Sequence, residues 1–547
     1  MKSKRLTLSV LFVVAAVANA LACTNLIVGK NASADGSTIV SYSADSYGLF
    51  GELYHYPAGM HKKGTLIDIH EWDTGKYLGQ IEQARQTYNV IGNMNEFQLT
   101  IGETTFGGRP ELVDTTGIID YGSLIYLGLQ RSRTAREAIK VMTELVQEYG
   151  YYSSGESFTI ADPNEIWIME MIGKGPGVRG AVWVAVRVPD DCISAHANQS
   201  RIHQFNMNDK ENCMYSPDVI SFAREKGYFD GVNKDFSFAD AYAPLDFGAR
   251  RYCEARVWSY FNMFTDRGNE FLPYILGETD TPMPLFVKPN RKVSVQDVKN
   301  AMRDHYEGTP LDISKDFGAG PYHTPYRLSP LSFKAGDQEY FNERPISTQQ
   351  SGFVFVAQMR SELPDPIGGV LWFGTDDANM TVFTPVYCCT DKIPVCYTRV
   401  DGADYITFSW NSAFWIFNWV ANMVYPRYDL MMGDVRATQT ELETTFNEAQ
   451  EGVEAAAAKL LEKDPAKAKA FLTNYTNMTA QSTFDTWKRL GEFLVVKYND
   501  GVVKRMKNGQ FERNSIGQPA GVIRPGYPKE FLEEYVKQTG DRYKMPE

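Results

Sequence analysis

Several signatures that would place a hydrolase at once are missing from this 547-residue chain. It contains no HExxH pair for zinc and no G-x-S-x-G elbow for a serine nucleophile. No CxxC pair occurs, which removes a zinc ribbon or a thioredoxin-like redox site. Gly173-Lys-Gly-Pro-Gly177 is rich in glycine, but it lacks P-loop spacing and the trailing Lys-Ser/Thr, so it reads as a loop between strands. Positive charge is also short. Lys and Arg number 55 against 67 Asp and Glu, a net charge of −12, and a nucleic-acid partner would need the opposite balance. One apolar run, Leu6 to Ala18, stands out, and it is shorter than the roughly 20 residues of a spanning helix. No second run of that length follows, so no membrane span is expected.

What remains is the composition of a globular protein, 43% hydrophobic and 22% charged. The length allows three or four units, or one large core with appendages. The N-terminus is distinct. Lys2, Lys4 and Arg5 precede the apolar run, and Ala20-Leu21-Ala22 fits the small-x-small pattern of a cleavage site. Residues 1–22 therefore read as a secretory signal, and the mature protein is expected to be exported, periplasmic or extracellular.

Cleavage there would expose Cys23, for which three readings stand. It is an ordinary residue, or the acylated first residue of a lipid-anchored protein, or a free N-terminal cysteine whose thiol is a nucleophile and whose α-amine is its base. The chemistry favours the third. A free thiol has a pKa near 8.5 and an α-amine one near 7.7–8, so both titrate close to neutral pH, and an adjacent amine activates such nucleophiles. The cysteine count is odd, seven, with Cys192, Cys213, Cys253, Cys388, Cys389 and Cys396 completing it. Six could pair in an oxidising compartment and leave one free; six buried, unpaired thiols are the alternative.

After Cys23, Thr24 to Gly29 is a short apolar strand. Ala34-Asp35-Gly36 signals a turn, and Ser37 to Ser43 is a second strand. Pairing Lys30 with Ser37 puts Cys23 opposite Ala44, with Asp45 beside it. A carboxylate there would hold the α-ammonium and orient it toward the sulfur. Further on, Ser157–Ile160, Ile166–Ile172, Ala181–Val186 and Ile193–Ala197 read as a meander of antiparallel strands. Thr134-Ala-Arg-Glu137 is a capping-box pattern, followed by Ala135, Ala138, Met142, Leu145 and Tyr149 at helical spacing.

These residues carry a resemblance. Cys23-Thr-Asn-Leu-Ile-Val-Gly-Lys30 with Ala32-Ser-Ala-Asp-Gly-Ser37 resembles the start of the dipeptidase A-like family of cysteine peptidases. Those are N-terminal-nucleophile hydrolases related to penicillin V acylase and bile-salt hydrolase. The likeness continues through Gly92-Asn-Met-Asn-Glu96, Gly102-Glu-Thr-Thr-Phe-Gly-Gly108, Asp162-Pro-Asn-Glu-Ile-Trp167 with Glu170, Ala185-Val-Arg-Val-Pro-Asp190 and Ala197-Asn198. Ala357-Gln-Met-Arg360 and the stretch from Trp372 to Pro385 follow, so that it spans Cys23 to about Asp500. It implies an α+β fold, a four-layer αββα sandwich of two antiparallel sheets, with a helical C-terminal extension. The division expected is a hydrolase domain over 23–435 and an appendage over 436–547.

The resemblance also implies an acyl-transfer site that needs no cofactor and no metal. Cys23 would be the nucleophile, Asp45 the aspartate near the amine and Asn198 the side-chain donor of the oxyanion hole. Thr105 falls where the acylase relatives carry an oxyanion-hole asparagine. Arg251 or Arg256 would be the arginine that frames the site, with Arg251 preferred. One departure is plain: many relatives have arginine three residues before the aspartate, and here Tyr42 stands there. A charge lost at that position weakens thiolate stabilisation and points to different substrate contacts. The implied substrate is a short peptide; the alternatives are an N-acyl amide of the penicillin or bile-salt type, or no substrate in a lipid-anchored binding module.

Two further features are weaker. Cys192, His196 and His203 lie close in sequence, but without a third ligand on one face they do not make a metal site. Asn379-Met-Thr381 is a chance sequon. The last hundred residues are helical: Leu442, Phe446, Ala449 and Val453 form an apolar stripe, Asp464-Pro465 breaks it, and Thr483 to Val496 supplies a third helix. That appendage is expected to pack on the core, with a lid or an oligomer contact as the alternative. Asn508 onward is polar and dotted with proline.

Overall fold

A computed structural model describes residues 23–546; the leader expected over 1–22 lies outside the described residues. Two antiparallel sheets organise the chain. The first has six strands in the order Ile193–His196, Asn25–Val28, Thr38–Asp45, Ser351–Met359, Val370–Thr375 and Thr384–Tyr387. The second has eight, in the order Cys213–Tyr215, Ala181–Arg187, Ile166–Gly173, Gly155–Ala161, Thr100–Gly107, Met94–Asn95, Val90–Ile91 and His55–Tyr56.

Side chains of both sheets share one buried cluster, with Leu26, Val28 and Val40 from the first and Ile168, Ile172 and Val182 from the second. The intervening positions Trp167, Met169 and Met171 turn the other way. They meet Leu124, Ala138 and Met142 of the helices Tyr121–Arg131 and Ala135–Tyr149. The period-2 alternation of a strand thus serves two cores at once, which is why Ile166–Gly173 is apolar almost throughout.

The expected hairpin forms with its expected register. Ile27 pairs with Val40 and Val28 with Ile39, and Thr24 bridges Ser43, so Cys23 falls opposite Ala44. The helix at 135 begins at Thr134, whose side chain accepts from the Glu137 N–H. The reciprocal half of the box is shifted by one residue: Glu137 accepts from Arg133 N at 2.8 Å rather than from the cap residue.

The meander is corrected at its fourth strand. The first three strands are neighbours in the eight-stranded sheet, whereas Ile193–His196 crosses to the other sheet and pairs with Asn25–Val28. The chain turns at Pro189-Asp190, and Gly29 lies so close under the Asp190 carbonyl that a Cβ there would collide with it. The crossing delivers Asn198 to the start of the strand Asn25–Val28, beside Cys23.

The C-terminal region is a helical hairpin, Tyr428–Leu461 and Pro465–Tyr498. Asp464 caps the second helix through the N–H groups of Ala466 and Lys467, with Pro465 at its first position. That helix is continuous, so the separate helix expected over 483–496 is its second half. Thr473, Thr476, Thr479 and Thr483 are buried along it, and the Tyr387 N–H donates to Thr476 Oγ1 at 3.3 Å. Packing against the edge strand Thr384–Tyr387 overrides the low helix propensity of this threonine-rich stretch. The first helix runs across position 436, and Phe446, Leu472 and Trp487 belong to the same buried cluster as Leu26. Among the described residues, no helix is long and apolar enough to cross a membrane.

Candidate active site

Three adjacent strands of the six-stranded sheet bring their site residues to one end. Asn25–Val28 begins just after Cys23, Thr38–Asp45 ends at Asp45, and Ile193–His196 is followed by Asn198. Antiparallel pairing of Asn25 with His196 extends to place Asn198 next to Cys23.

Arg256 ties this corner together. It rises from the helix Ala255–Phe264 and is only 1% exposed. Its Nη1 donates to the Cys23 carbonyl at 2.7 Å and to Thr24 Oγ1 at 2.8 Å; its Nη2 donates to the Ala197 carbonyl at 3.0 Å and to Asn198 Oδ1 at 2.9 Å. Nε is held by the Tyr252 carbonyl at 2.7 Å. A planar fork with fixed donors suits five simultaneous bonds in a way that an ammonium would not. Arg251, the arginine preferred from sequence, turns instead to an ion pair with Glu343 and lies over the Phe341 ring.

Asn198 adopts φ +63°, a left-handed conformation that asparagine tolerates better than most residues. Its Nδ2 donates to the Thr105 carbonyl at 2.8 Å. The chain after it is pinned by Glu170, whose carboxylate accepts from the Ser200 hydroxyl and the Arg201 N–H, each at 2.5 Å, and from the Ile202 N–H at 3.2 Å. Thr105 therefore contributes its carbonyl to Asn198, while its hydroxyl donates to Glu156 Oε1 at 2.7 Å.

Asp45 is completely buried and fully engaged. Arg344 Nη2 donates to Oδ2 at 2.6 Å, Ser43 Oγ to Oδ2 at 3.1 Å and Ser351 Oγ to Oδ1 at 2.5 Å. Cys23 is 3% exposed. Burial, then the charges of Glu103 and Asp45, push its thiol well above the ordinary range, against the Asp45 backbone N–H and the Tyr42 hydroxyl, which pull it down. Tyr42 Oη stands 3.7 Å from Cys23 Sγ and donates to Glu103 Oε1 at 2.6 Å. Tyrosine thus links a carboxylate to the sulfur where the resemblance would have an arginine, and Arg256 holds the Cys23 carbonyl rather than its sulfur.

Arg344, Glu103, Glu156 and Glu170 were not singled out from sequence as site residues. Each acts through a partner distant in the chain; Glu103 and Glu170 sit in blocks that carry the resemblance, but nothing local assigns them a role. The histidine and cysteine group near 196 separates. His196 bridges Thr104 Oγ1 (2.7 Å) and Thr159 Oγ1 (2.6 Å), Cys192 Sγ reaches Asp191 Oδ1 at 3.5 Å, and His203 turns to Ser237 at 3.2 Å. All seven cysteines are unpaired thiols. Asn379, the sequon residue, is completely buried, with its side chain bonded to Arg436 at 2.7 Å.

The sequence model of Peptidase family C69 matches residues 22–55 and 50–441. The chain is 31% identical to a "Probable dipeptidase" of Salmonella dublin over 389 residues, covering 67% of this chain and 81% of that one. It is 26% identical to a "Probable dipeptidase" of Latilactobacillus sakei over 474 residues, 83% and 90% of the two chains. With the "Dipeptidase A" of Lactobacillus helveticus the identity is 25% over 416 residues, 72% and 80%. Cys23, Asp45, Asn198 and Arg256 all fall within the matched region, and the chain belongs to peptidase family C69.

Proposed function

We propose that this peptidase is an exported cysteine dipeptidase of the N-terminal-nucleophile type. Removal of residues 1–22 makes Cys23 the first residue, its thiol attacks the amide carbonyl of a short peptide, and its own α-amine carries the proton. The observation that carries this reading is the convergence of Cys23, Asp45 and Asn198 at one end of adjacent strands, with Arg256 bonded to both Cys23 and Asn198. The relatives named as dipeptidases support the substrate class. Two facing antiparallel sheets with helices packed on them support the four-layer αββα arrangement of that hydrolase class.

Buried surroundings keep the Cys23 sulfur protonated, so attack needs a base at the moment of bond formation. The α-amine is carried on the same residue and titrates near neutral pH. As the S–C bond forms, the thiol proton passes to the amine and the carbonyl electron pair moves onto oxygen. The Asn198 carboxamide, oriented by Arg256 and Thr105, stands where an N–H donor can meet that oxyanion. Asp45, fixed by Arg344 and Ser351, favours the ammonium form of the base. Collapse breaks the C–N bond, the ammonium returns its proton to the leaving amine, and a thioester remains. Water then adds with the amine again as base. The C–S bond breaks, the acid leaves and the thiol is restored.

The test is turnover by purified mature protein, its N-terminal mass fixed first. A free Cys23 amine and hydrolysis of dipeptides ahead of tripeptides are expected. Faster cleavage of N-acyl amides would assign an acylase instead, and acyl chains on Cys23 would remove both nucleophile and base and overturn the reading.

A further inference from the structure

Some buried carboxylates of the described core are paired with arginine, and others, such as the adjacent Asp376 and Asp377, are not. Asp45 faces Arg344, Glu254 faces Arg201, Glu443 faces Arg303 and Glu454 faces Arg360, each within 2.9 Å. Glu103 and Glu156 belong to the second kind, with Glu103 standing beside Cys23. They lie on the adjacent strands Thr100–Gly107 and Gly155–Ala161, each 1% exposed, and among the described residues neither has a cationic partner.

One oxygen of each is satisfied: Glu103 Oε1 by Tyr42 Oη at 2.6 Å and Glu156 Oε1 by Thr105 Oγ1 at 2.7 Å. The other two, Glu103 Oε2 and Glu156 Oε2, reach no N–H or O–H donor among the described residues. A hydrogen bond between the two carboxyls needs a proton between them, and Glu103 also lies within reach of the Cys23 thiol. Asp73, which accepts from Tyr121 Oη at 2.9 Å, adds a third acidic group to the neighbourhood. Burial pushes both glutamates up, and each also raises against the charge of its acidic neighbours. Buried carboxylates in contact without a cation are costly. The site therefore lacks one positive charge, and it lacks it one hydroxyl away from the nucleophile, since Tyr42 Oη touches both Glu103 and Cys23 Sγ.

We propose that Glu103, with Glu156 behind it, is the subsite for the α-ammonium of the substrate's first residue. This rests on the dipeptidase reading and extends it to named groups. In an α-aminoacyl group a single carbon separates the nitrogen from the scissile carbonyl carbon. A carbonyl placed at Cys23 Sγ therefore keeps the ammonium close to the sulfur, and in this proposal it turns to the Tyr42–Glu103 side. An ammonium carries three donors, and Glu103 Oε2, with Glu156 Oε2 on the adjacent strand, supplies acceptors that are otherwise unmet among the described residues. Its charge takes the place of the shared proton. The consequence is positional specificity: the bond cleaved is the first peptide bond, and an N-acylated residue would set a neutral amide against the proton-sharing carboxyl pair without replacing its proton.

Three matched substrates test this on the mature enzyme: alanyl-alanine, N-acetyl-alanyl-alanine and propionyl-alanine, which keeps the shape of the first residue but lacks its nitrogen. The expected kcat/KM for the free dipeptide exceeds the other two by about 100-fold or more, because a buried polar site rejects an analogue that leaves it unpaired. Glu103→Gln is expected to bring that ratio below about 10, and Glu156→Gln to lower it in the same direction; alkylation of Cys23 by iodoacetamide reports that the site is intact in each variant. Wild-type protein that cleaves propionyl-alanine as well as alanyl-alanine would overturn the subsite and leave a cysteine amidase standing. So would a Glu103→Gln variant that alkylates normally and keeps the full ratio. Failure to cleave any of the three would overturn the dipeptidase reading itself, and the subsite with it.

Discussion

Arg344 and Asp45 meet as a buried ion pair, Nη2 to Oδ2 at 2.6 Å, across 299 positions of sequence. The pair closes the wall of the site behind Cys23. It fixes the carboxylate that the proposed amine base would use, and it couples the stability of that wall to the chemistry.

Removing the arginine strands the carboxylate. Arg344→Ala is expected to destabilise the mature protein by about 3–5 kcal/mol, the cost of an uncompensated buried charge. Urea unfolding followed by tryptophan fluorescence checks this, and a change under about 1 kcal/mol would show that Asp45 does not depend on Arg344.

Asn198→Ala removes the proposed oxyanion donor. A fall in kcat of about 10²–10³ is expected, with KM changed far less, because the bond strengthens as charge develops on the carbonyl oxygen. Arg256→Lys is expected to act in the same direction, since one ammonium cannot replace the fork that holds Cys23, Thr24, Ala197 and Asn198 together. Steady-state kinetics on a dipeptide separate kcat from KM in both variants.

His196 gives a pH dependence of stability with a definite sign. Burial between Thr104 and Thr159 lowers its pKa to about 3, against about 6.5 in an unfolded chain. The unfolded state therefore binds a proton that the folded state refuses, and stability falls as pH drops below about 6.5, by about 1.4 kcal/mol per unit. Replacing it with a side chain that does not titrate, His196→Gln, should make the slope between pH 5 and 6 shallower by that amount. Equal slopes for the two proteins in urea unfolding would contradict a neutral, buried His196.

Cys23→Ser should fold and lose at least about 10³ in kcat, because an alcohol near neutral pH is a far weaker nucleophile than a thiol paired with an amine. Retained turnover would move the nucleophile elsewhere.

Local chemistry was legible in the sequence, and long-range pairing was not. The hairpin register that sets Cys23 opposite Ala44 follows from one turn and two short strands. The caps at Thr134 and Asp464 follow from a few residues each. Asn198 was placed by resemblance, yet what positions it was hidden: a strand that leaves one sheet for the other, and Glu170 holding the segment that follows. Arg344 and Glu156 carry no local signature, and Glu103 lies in a block of the resemblance without an assigned role, because their meaning comes from partners far along the chain. The same holds for Arg256 over Arg251. Both lie near one helix start, and only the packing decides which of them reaches Cys23. The long helix from Pro465 was read as two for a related reason, since burial of its threonines against the sheet outweighs their local preference.

The most direct measurement is a rapid acid quench of mature enzyme during dipeptide turnover, followed by mass mapping of its N-terminal fragment. The account predicts an aminoacyl group carried as a thioester on Cys23, on a fragment that begins with that residue. An acyl group mapped to another side chain, or a fully active enzyme in which Cys23 is still joined to upstream sequence, would contradict it.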